Sequence, residues 1–528
     1  MPLSGPRLER PVDLPRILER GLAERPDELA LVSLRMRWTW RELDEASTRL
    51  ALNYMARGLE PGDRVASLLP NRTVLMVHYI ACFKAGFVAM PLNYRYTPPE
   101  MDHAMSVGGA SMLVVHSERE DDVAASSEAA KLRCGTIVAA GTVGDSLAVE
   151  ALLAEAPPER DLPYPDPDTP AFVLFTSGST GKPKGATHTL KSFGYLVASI
   201  ARGMELSADD VFMAGSSISH MGSLKMALGI LSVGGQLAIA RNFDPDEFLP
   251  VLREFRPTAA FVLPAALSAL IRDHGARPDD FASLRLLLSG GDTIPSDLED
   301  EVAQVAGLPI DELFGMTEAG TAFLNPPSGL IKRGSVGLLN PGYVASLRDE
   351  EGHEVPNGSD GRLFRKGPAV MTGYWNNPDA TAEALQDGWY DTGDILAVDE
   401  DVYFWFRGRK KQIIVHDSSN ISPLEVEMAV LTHPAVDLAG VVGVRDAIHG
   451  ENVWVYVTIR DGFDRPLSQE IIEAARQQVG YKAPEVVVVI DEMPLNPTGK
   501  VDREALKRMA AERVSAAHVH GDAENAPG

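Results

Sequence analysis

Thr176-Ser177-Gly178-Ser179-Thr180-Gly181-Lys182-Pro183-Lys184-Gly185 follows a short apolar run, Ala171 to Phe175, that reads as a buried strand. Glycines let backbone N–H groups close around an anion, hydroxyls add donors, and lysines add positive charge. The run therefore has the composition of a loop that grips a polyphosphate. It is not a Walker A loop, which needs four residues between its first glycine and a Gly-Lys pair followed by Ser or Thr. Here Gly178 lies two residues before Gly181-Lys182, and Pro183 follows.

Outward from this loop, short apolar runs alternate with longer helical patterns. Val65 to Leu69, Met112 to Val115, Val211 to Ala214, Leu237 to Ala240, Ala260 to Leu263 and Leu284 to Leu288 read as strands. Their nearly continuous apolar character suits strands buried on both faces, with helices between them. Asp13-Leu14-Pro15 reads as a helix start, with Leu14, Ile17, Leu18 and Leu22 at helical spacing. This predicts α/β layers to about Leu330. After Gly334, Val344 to Arg348, Gly361 to Arg365, Ile395 to Val398 and Tyr403 to Arg407 predict a small β-rich subdomain.

A compact basic connection, Gly408 to Gln412, comes next. Beyond it, Ser422-Pro423-Leu424-Glu425 reads as a capping box with Pro at the first helical position. Strands at Ala439 to Val444, Val453 to Ile459 and Val486 to Ile490, with a helix over Ser468 to Val479, predict a small α+β domain. The expected organisation is a large N-terminal domain over 1–407, a hinge at 408–412, a small mobile domain over 413–515 and a loose tail over 516–528. The fold class is α/β. No internal repeat is visible.

The bulk properties fit more than one domain: 528 residues, 45% hydrophobic and 23% charged. A formal net charge of −25 argues against nucleic acid or an anionic membrane surface as partner. An anionic ligand must be drawn in by local basic groups, for which Lys182, Lys184, Arg407, Arg409, Lys410 and Lys411 are candidates. The two cysteines, Cys82 and Cys134, lie far apart and suggest a reducing compartment without a disulfide framework. Met1 to Pro15 lacks an apolar signal core, and no run is long enough to span a bilayer. A cytoplasmic location is expected.

Further motifs appear in order. They are Phe314-Gly315-Met316-Thr317-Glu318, Tyr390-Asp391-Thr392-Gly393-Asp394, Gly408-Arg409-Lys410-Lys411, Asn420-Ile421-Ser422-Pro423-Leu424-Glu425-Val426-Glu427 and Pro497-Thr498-Gly499-Lys500. Together with the glycine-rich loop they resemble the AMP-forming adenylating enzymes: acyl-CoA synthetases, peptide-synthetase adenylation domains and luciferases. The resemblance covers nearly the whole chain. It implies that ATP, Mg²⁺ and a small-molecule carboxylic acid, fatty or aryl, bind here. The acid becomes an acyl-adenylate and then a coenzyme A thioester. Transfer to a carrier-protein arm, or a pathway stopping at the adenylate, stays open, as do a luciferase-like oxygenase, a nucleotide-binding regulator without turnover, and a homodimer.

The resemblance also implies roles. Thr176, Ser177, Gly178, Ser179, Thr180, Gly181 and Lys184 would hold the β- and γ-phosphates. Glu318 would hold Mg²⁺, and Thr317 would donate to the α-phosphate. Phe314, with Gly315 and Met316, would lie against adenine, where the family usually has Tyr. Gly290, Gly291 and Asp292, after Ser289, would line its other face. Asp394 would accept from the ribose hydroxyls, with Arg409 as a further ribose or phosphate contact. Tyr390 to Asp394 reads as a turn, in which Asp391 could be a simple turn residue. Lys500 would bridge the substrate carboxylate and the α-phosphate. His220 would line and gate the acyl pocket, although Ser219 replaces the usual aromatic. Read from its own neighbours, Lys225 lies five residues on in an apolar helical pattern, where it could meet a polar or anionic group on the substrate tail, snorkel outward or meet a local carboxylate.

Lys411 would be the hinge pivot, with Gln412 in place of the usual aspartate. Asp417-Ser418 stands where the family has a glycine-containing pair beside the pantetheine tunnel. That substitution suggests either a slow thioester step or a loop that shifts slightly and tolerates serine. Val402 is similarly odd, because Asp399-Glu400-Asp401 reads as a turn that favours glycine next.

Overall fold

The computed structural model describes residues 2–140, 147–176, 183–241, 245–291, 294, 296–416, 419–446, 450–496 and 499–524. Among them, strands assemble into sheets of eight, nine, six and five. The eight-stranded sheet has a parallel centre, with Arg64–Leu68 between Val88–Pro91 and Ala110–His116. The nine-stranded sheet likewise runs Val211–Gly215, Ala259–Val262, Leu286–Gly290 and Ile310–Met316 in parallel. These strands are buried on both faces, as their apolar runs require. Burying each such Val, Leu or Phe stabilises by roughly 1.5–3 kcal/mol over leaving it exposed. The predicted α/β layers are therefore present.

The β-rich region forms the six-stranded antiparallel sheet, in which Val344–Arg348, Gly361–Lys366, Trp389–Val398 and Phe404–Arg409 pair in succession. The N-terminal Leu3–Ser4 pairs with the first of these, an edge strand too short to read from sequence. Tyr390 to Asp394, read as a turn, belongs to the long strand Trp389–Val398, in which Gly393 adopts φ 70°. Cross-strand pairing overrode the turn-forming residues. Asp391 in that strand is bound by Arg362.

The small domain has its own core of Ile414, Val441, Val453, Val455, Val457 and Ile471. The helix expected over 468–479 is Ser468–Val479. Two readings need correction. Ser422 precedes helix Pro423–Val430 but makes no side-chain cap; its hydroxyl donates to Arg407 O at 2.7 Å, while Glu425 pairs with Lys482. Residues 516–524 of the expected tail lie inside the last helix, Arg503–Glu524, since low apolar content does not itself stop a helix rich in Ala, Glu and Arg; 525–528 lie outside the described residues.

The expected hinge spans the end of strand Phe404–Arg409 and a single 3₁₀ turn, Lys410–Gln412. A Cβ on Gly408, at φ 142°, would come within 2.8 Å of Ser422 Oγ, so the chain turns closely against the small domain here. The side chain of Lys411 lies outside what is described. Both cysteines are free, Cys82 buried and Cys134 half-buried. No described helix is long and apolar enough to cross a membrane.

Candidate active site

Strands Pro170–Thr176 and Lys184–Thr189 pair antiparallel, with Thr176 opposite Lys184. The two ends of the glycine-rich stretch are thus brought side by side. Ser177, Gly178, Ser179, Thr180, Gly181 and Lys182 lie outside the described residues. The Lys184 ammonium sits 5.2 Å from the centre of the Tyr374 ring. Tyr374 Oη also donates to Glu318 Oε1 at 3.0 Å. One aromatic residue therefore joins the phosphate-loop strand to the predicted metal ligand.

Glu318 and Thr317 occupy the turn between antiparallel strands Ile310–Met316 and Gly320–Leu324. The turn is anchored from outside: Met371 N donates to Glu318 O at 2.7 Å, and His188 Nε2 lies 2.9 Å from Thr317 O. Burial holds His188 down at about 4, so at neutral pH it is neutral and donates this bond from Nε2. Phe314, half-buried, packs against Phe323 and Phe406. Gly315 must be small, since a Cβ there would meet Gly320 O at 2.9 Å.

Beside this hairpin, Leu286–Gly290 ends in Gly290-Gly291, at φ 155° and 86°. A Cβ on Gly290 would strike Leu313 O at 2.5 Å. One on Gly291 would meet only Leu263 and the Lys500 side chain, the latter at 4.0 Å from its Cε. Lys500 thus reaches from the small domain to the carboxyl end of the parallel sheet, where α/β sheets bind ligands. Asp292, next in this turn, lies outside the described residues, as do Asp417, Ser418, Pro497 and Thr498.

The Lys500 turn is built locally. Asn496 N donates to Lys500 O at 2.7 Å, Asn496 Oδ1 accepts from Lys500 N at 3.2 Å, and Gly499 takes φ 85°. Leu495 and Val501 form a bridge below. Across the domain boundary, Asp297 is bound by Arg460, and Asp437 lies 3.8 Å from Arg272.

Asp394 is fully buried. Arg409 Nε lies 2.8 Å from its Oδ1, an ion-pair contact without hydrogen-bond alignment, so both carboxylate oxygens lack a hydrogen-bond donor among the described residues. Burial raises Asp394 to about 6, opposed by the positive charges of Arg409, Arg365 and Lys500. An orphaned, desolvated carboxylate is costly without donors. A vicinal diol would supply two. His220 precedes helix Met221–Ser232, and its imidazole is held down at about 4 by burial and then by the charges of Lys500 and Arg95. The field of Lys500 therefore reaches His220 and Asp394, and its Cε lies beside Gly291.

Arg407 and Lys410 are engaged by Asp360 and Glu350, and so do not belong to this cluster. Sequence reading missed Tyr374, His188, Arg95 and Arg365. Arg365 is wholly buried, donates to Ala319 O and to Gly320 O, the latter at 3.3 Å, and stacks on Tyr343. Its signal was parity, because Gly361, Leu363 and Arg365 share the inward face of one strand.

The described residues bring together the paired strand ends that flank the glycine-rich stretch, a carboxylate at a hairpin turn, a buried aspartate and an ammonium from a second domain. Comparison with known proteins gives the family. Residues 18–375 match the AMP-binding enzyme family, and residues 425–500 match the AMP-binding enzyme C-terminal domain. The chain belongs to the AMP-binding enzyme family.

A feruloyl-CoA synthase of an Amycolatopsis species is 35% identical, over 89% of this chain and 93% of that protein. A fatty acid–[acyl-carrier-protein] ligase, ScoC, of Streptomyces coeruleorubidus is 33% identical, over 89% and 91%. Among solved structures, ATP-bound MatB from Rhodopseudomonas palustris superposes with a TM-score of 0.86 at 28% identity, over 94% of this chain and 99% of that one.

Proposed function

We propose that this protein is an ATP-dependent carboxylic acid–coenzyme A ligase. It converts a small-molecule acid, fatty or aryl, to its acyl-adenylate with release of pyrophosphate, then to the thioester with release of AMP. The observation that carries this reading is the buried Asp394 carboxylate, ion-paired with Arg409 and within the field of Lys500.

Asp394 accepts from the two ribose hydroxyls. Phe314 and the Gly290-Gly291 turn flank adenine. Thr176 and Lys184, with the intervening glycine-rich residues, hold the leaving phosphates, and Thr317 donates to the α-phosphate. Glu318, oriented by Tyr374, is the carboxylate that would hold Mg²⁺, an ion that takes few protein ligands and several phosphate or water oxygens and here would neutralise phosphate charge. Lys500 stands between the acid's carboxylate and the α-phosphate, offsetting charge as the two anions meet. Such a step needs alignment and charge stabilisation more than covalent help. His220, neutral at pH 7, borders the acid without adding a second charge.

For the second half-reaction the small domain turns about Lys411, which withdraws Lys500. The reaction belongs in the cytoplasm, where ATP and coenzyme A are available. Acid-dependent exchange of pyrophosphate into ATP tests the first step, and AMP release dependent on coenzyme A tests the second. No exchange with any acid overturns the reading. Exchange followed by transfer only to a carrier-protein arm replaces coenzyme A as acceptor.

A further inference from the structure

Helix Met221–Ser232 follows His220 directly and packs on the hairpin strands that carry the Thr317-Glu318 turn. It is apolar almost all round, with Leu224, Met226, Leu228, Ile230 and Leu231 buried. Lys225 stands in the middle of it at 2% exposure. A lysine on such a helix normally extends its ammonium to water. This one instead folds back to the helix start, where Nζ donates to Met221 O at 3.2 Å and to Gly222 O at 2.9 Å.

No carboxylate among the described residues pairs with it. The charge that acts on it is a second buried cation, Arg365. Burial, then Arg365, pull its proton affinity down to about 7, the mark of an ammonium without a counter-ion. A buried ammonium with no paired carboxylate among the described residues, beside a second buried cation, is expensive to keep. Two carbonyls satisfy some of the three ammonium protons but none of its charge.

The place is as telling as the charge. The two carbonyls belong to the residues immediately after His220. Arg365 is coupled to Asp394 as well as to Lys225, and Asp394 is coupled to Lys500. Lys225 therefore borders the same site, next to His220. Polar side chains lie nearby: Ser216 and Ser223 share a hydrogen bond of 2.6 Å, and Ser219, just before His220, is buried.

We infer that Lys225 is a specificity-determining group of the acyl site, and that the acid it selects carries an oxygen acceptor, carboxylate, phenol or carbonyl, at the end remote from its reacting carboxylate. This rests on the acid-activating function proposed above. A site that hydrogen-bonds a substrate oxygen rejects the analogue lacking it, because the protein's own buried group is then left without its partner.

The test is acid-dependent pyrophosphate exchange by the full-length protein on matched acids that differ only in the remote oxygen: octanoate against octanedioate, and cinnamate against 4-hydroxycinnamate. In at least one pair the wild type should show kcat/KM at least about tenfold higher for the oxygen-bearing acid. Lys225→Met should collapse that ratio at least about tenfold, and Lys225→Arg should recover part of it. A wild type that uses the plain acids as well or better in both pairs overturns the inference while leaving acid activation intact. So does a Lys225→Met protein that loses both members of a pair equally, since that is the behaviour of a structural lysine. If Lys225→Met does not fold, Lys225→Gln is read in the same way, and the wild-type ratios still decide. Absence of exchange with every acid sinks the parent function, and this inference with it.

Discussion

Asp394 and Lys500 present opposite solutions to placing a charge. Asp394 sits in a strand paired on both sides, is fully buried, and is raised to about 6 by desolvation. Lys500 is exposed at the tip of a glycine turn on a domain with its own core. The ion pairs described between the two domains are solvent-accessible, Arg460 with Asp297 and Arg272 with Asp437. Such pairs contribute only about 0–1 kcal/mol each. On the proposed function, the large domain holds a preformed nucleotide site, whereas the small domain delivers one ammonium through a contact that is easily released. Binding groups belong on the first element and a group needed for only one step belongs on the second.

Lys500→Ala gives the largest effect. Pyrophosphate exchange should fall about a hundredfold, while ATP affinity measured by calorimetry stays within about threefold of wild type. Exchange near the wild-type rate would show that the exposed domain carries no catalytic group. Lys411→Pro attacks the release instead. It should slow one half-reaction by roughly tenfold or more and spare the other, in single-turnover assays from acid plus ATP and from preformed adenylate. Equal loss of both, in a folded protein, removes the hinge.

Asp394→Asn probes the rigid side. The KM for ATP should rise about tenfold with little change in kcat, the value of a hydrogen bond to a charged group. The same carboxylate predicts a pH dependence. It accepts from both ribose hydroxyls at full strength only when ionised, and its raised value means that it protonates as pH falls through about 6. The wild-type KM for ATP should therefore climb between pH 7 and 5, and in Asp394→Asn it should stay flat. A wild-type KM that is level across that range contradicts the ribose assignment.

The smallest effect concerns the sheet alone. Val402 holds φ 60° after the Asp399 turn, as its position predicts, and a β-branched residue pays about 1–2 kcal/mol there. Val402→Gly returns part of that to unfolded-chain entropy, leaving a gain of about 0.5–1 kcal/mol. Denaturant unfolding should show it, with pyrophosphate exchange unaltered. A loss of stability would mean that the exposed valine side chain packs usefully.

Much of the molecule was legible before any coordinates. The parallel strands announce themselves because burial on both faces demands unbroken apolar runs. Thr317, Glu318, Asp394 and Lys500 are legible because each sits in a short motif whose neighbours set its local geometry. Errors arose where a local rule met a distant partner. Ser422 has the residues of a cap, but Arg407 O takes its hydroxyl. Tyr390 to Asp394 has turn composition, but flanking strands hold it extended.

Motif and period thus indicated the α/β class, the order of domains and the family, since those signals depend on neighbours a few positions apart. Tertiary packing alone settled that Tyr374 bonds Glu318, that Arg365 acts on Asp394, and that Lys225 is buried with no paired carboxylate among the described residues. Each of these depends on desolvation and on partners far away along the chain. The charge of a side chain can be read from its letter; what that charge costs is set by everything packed around it.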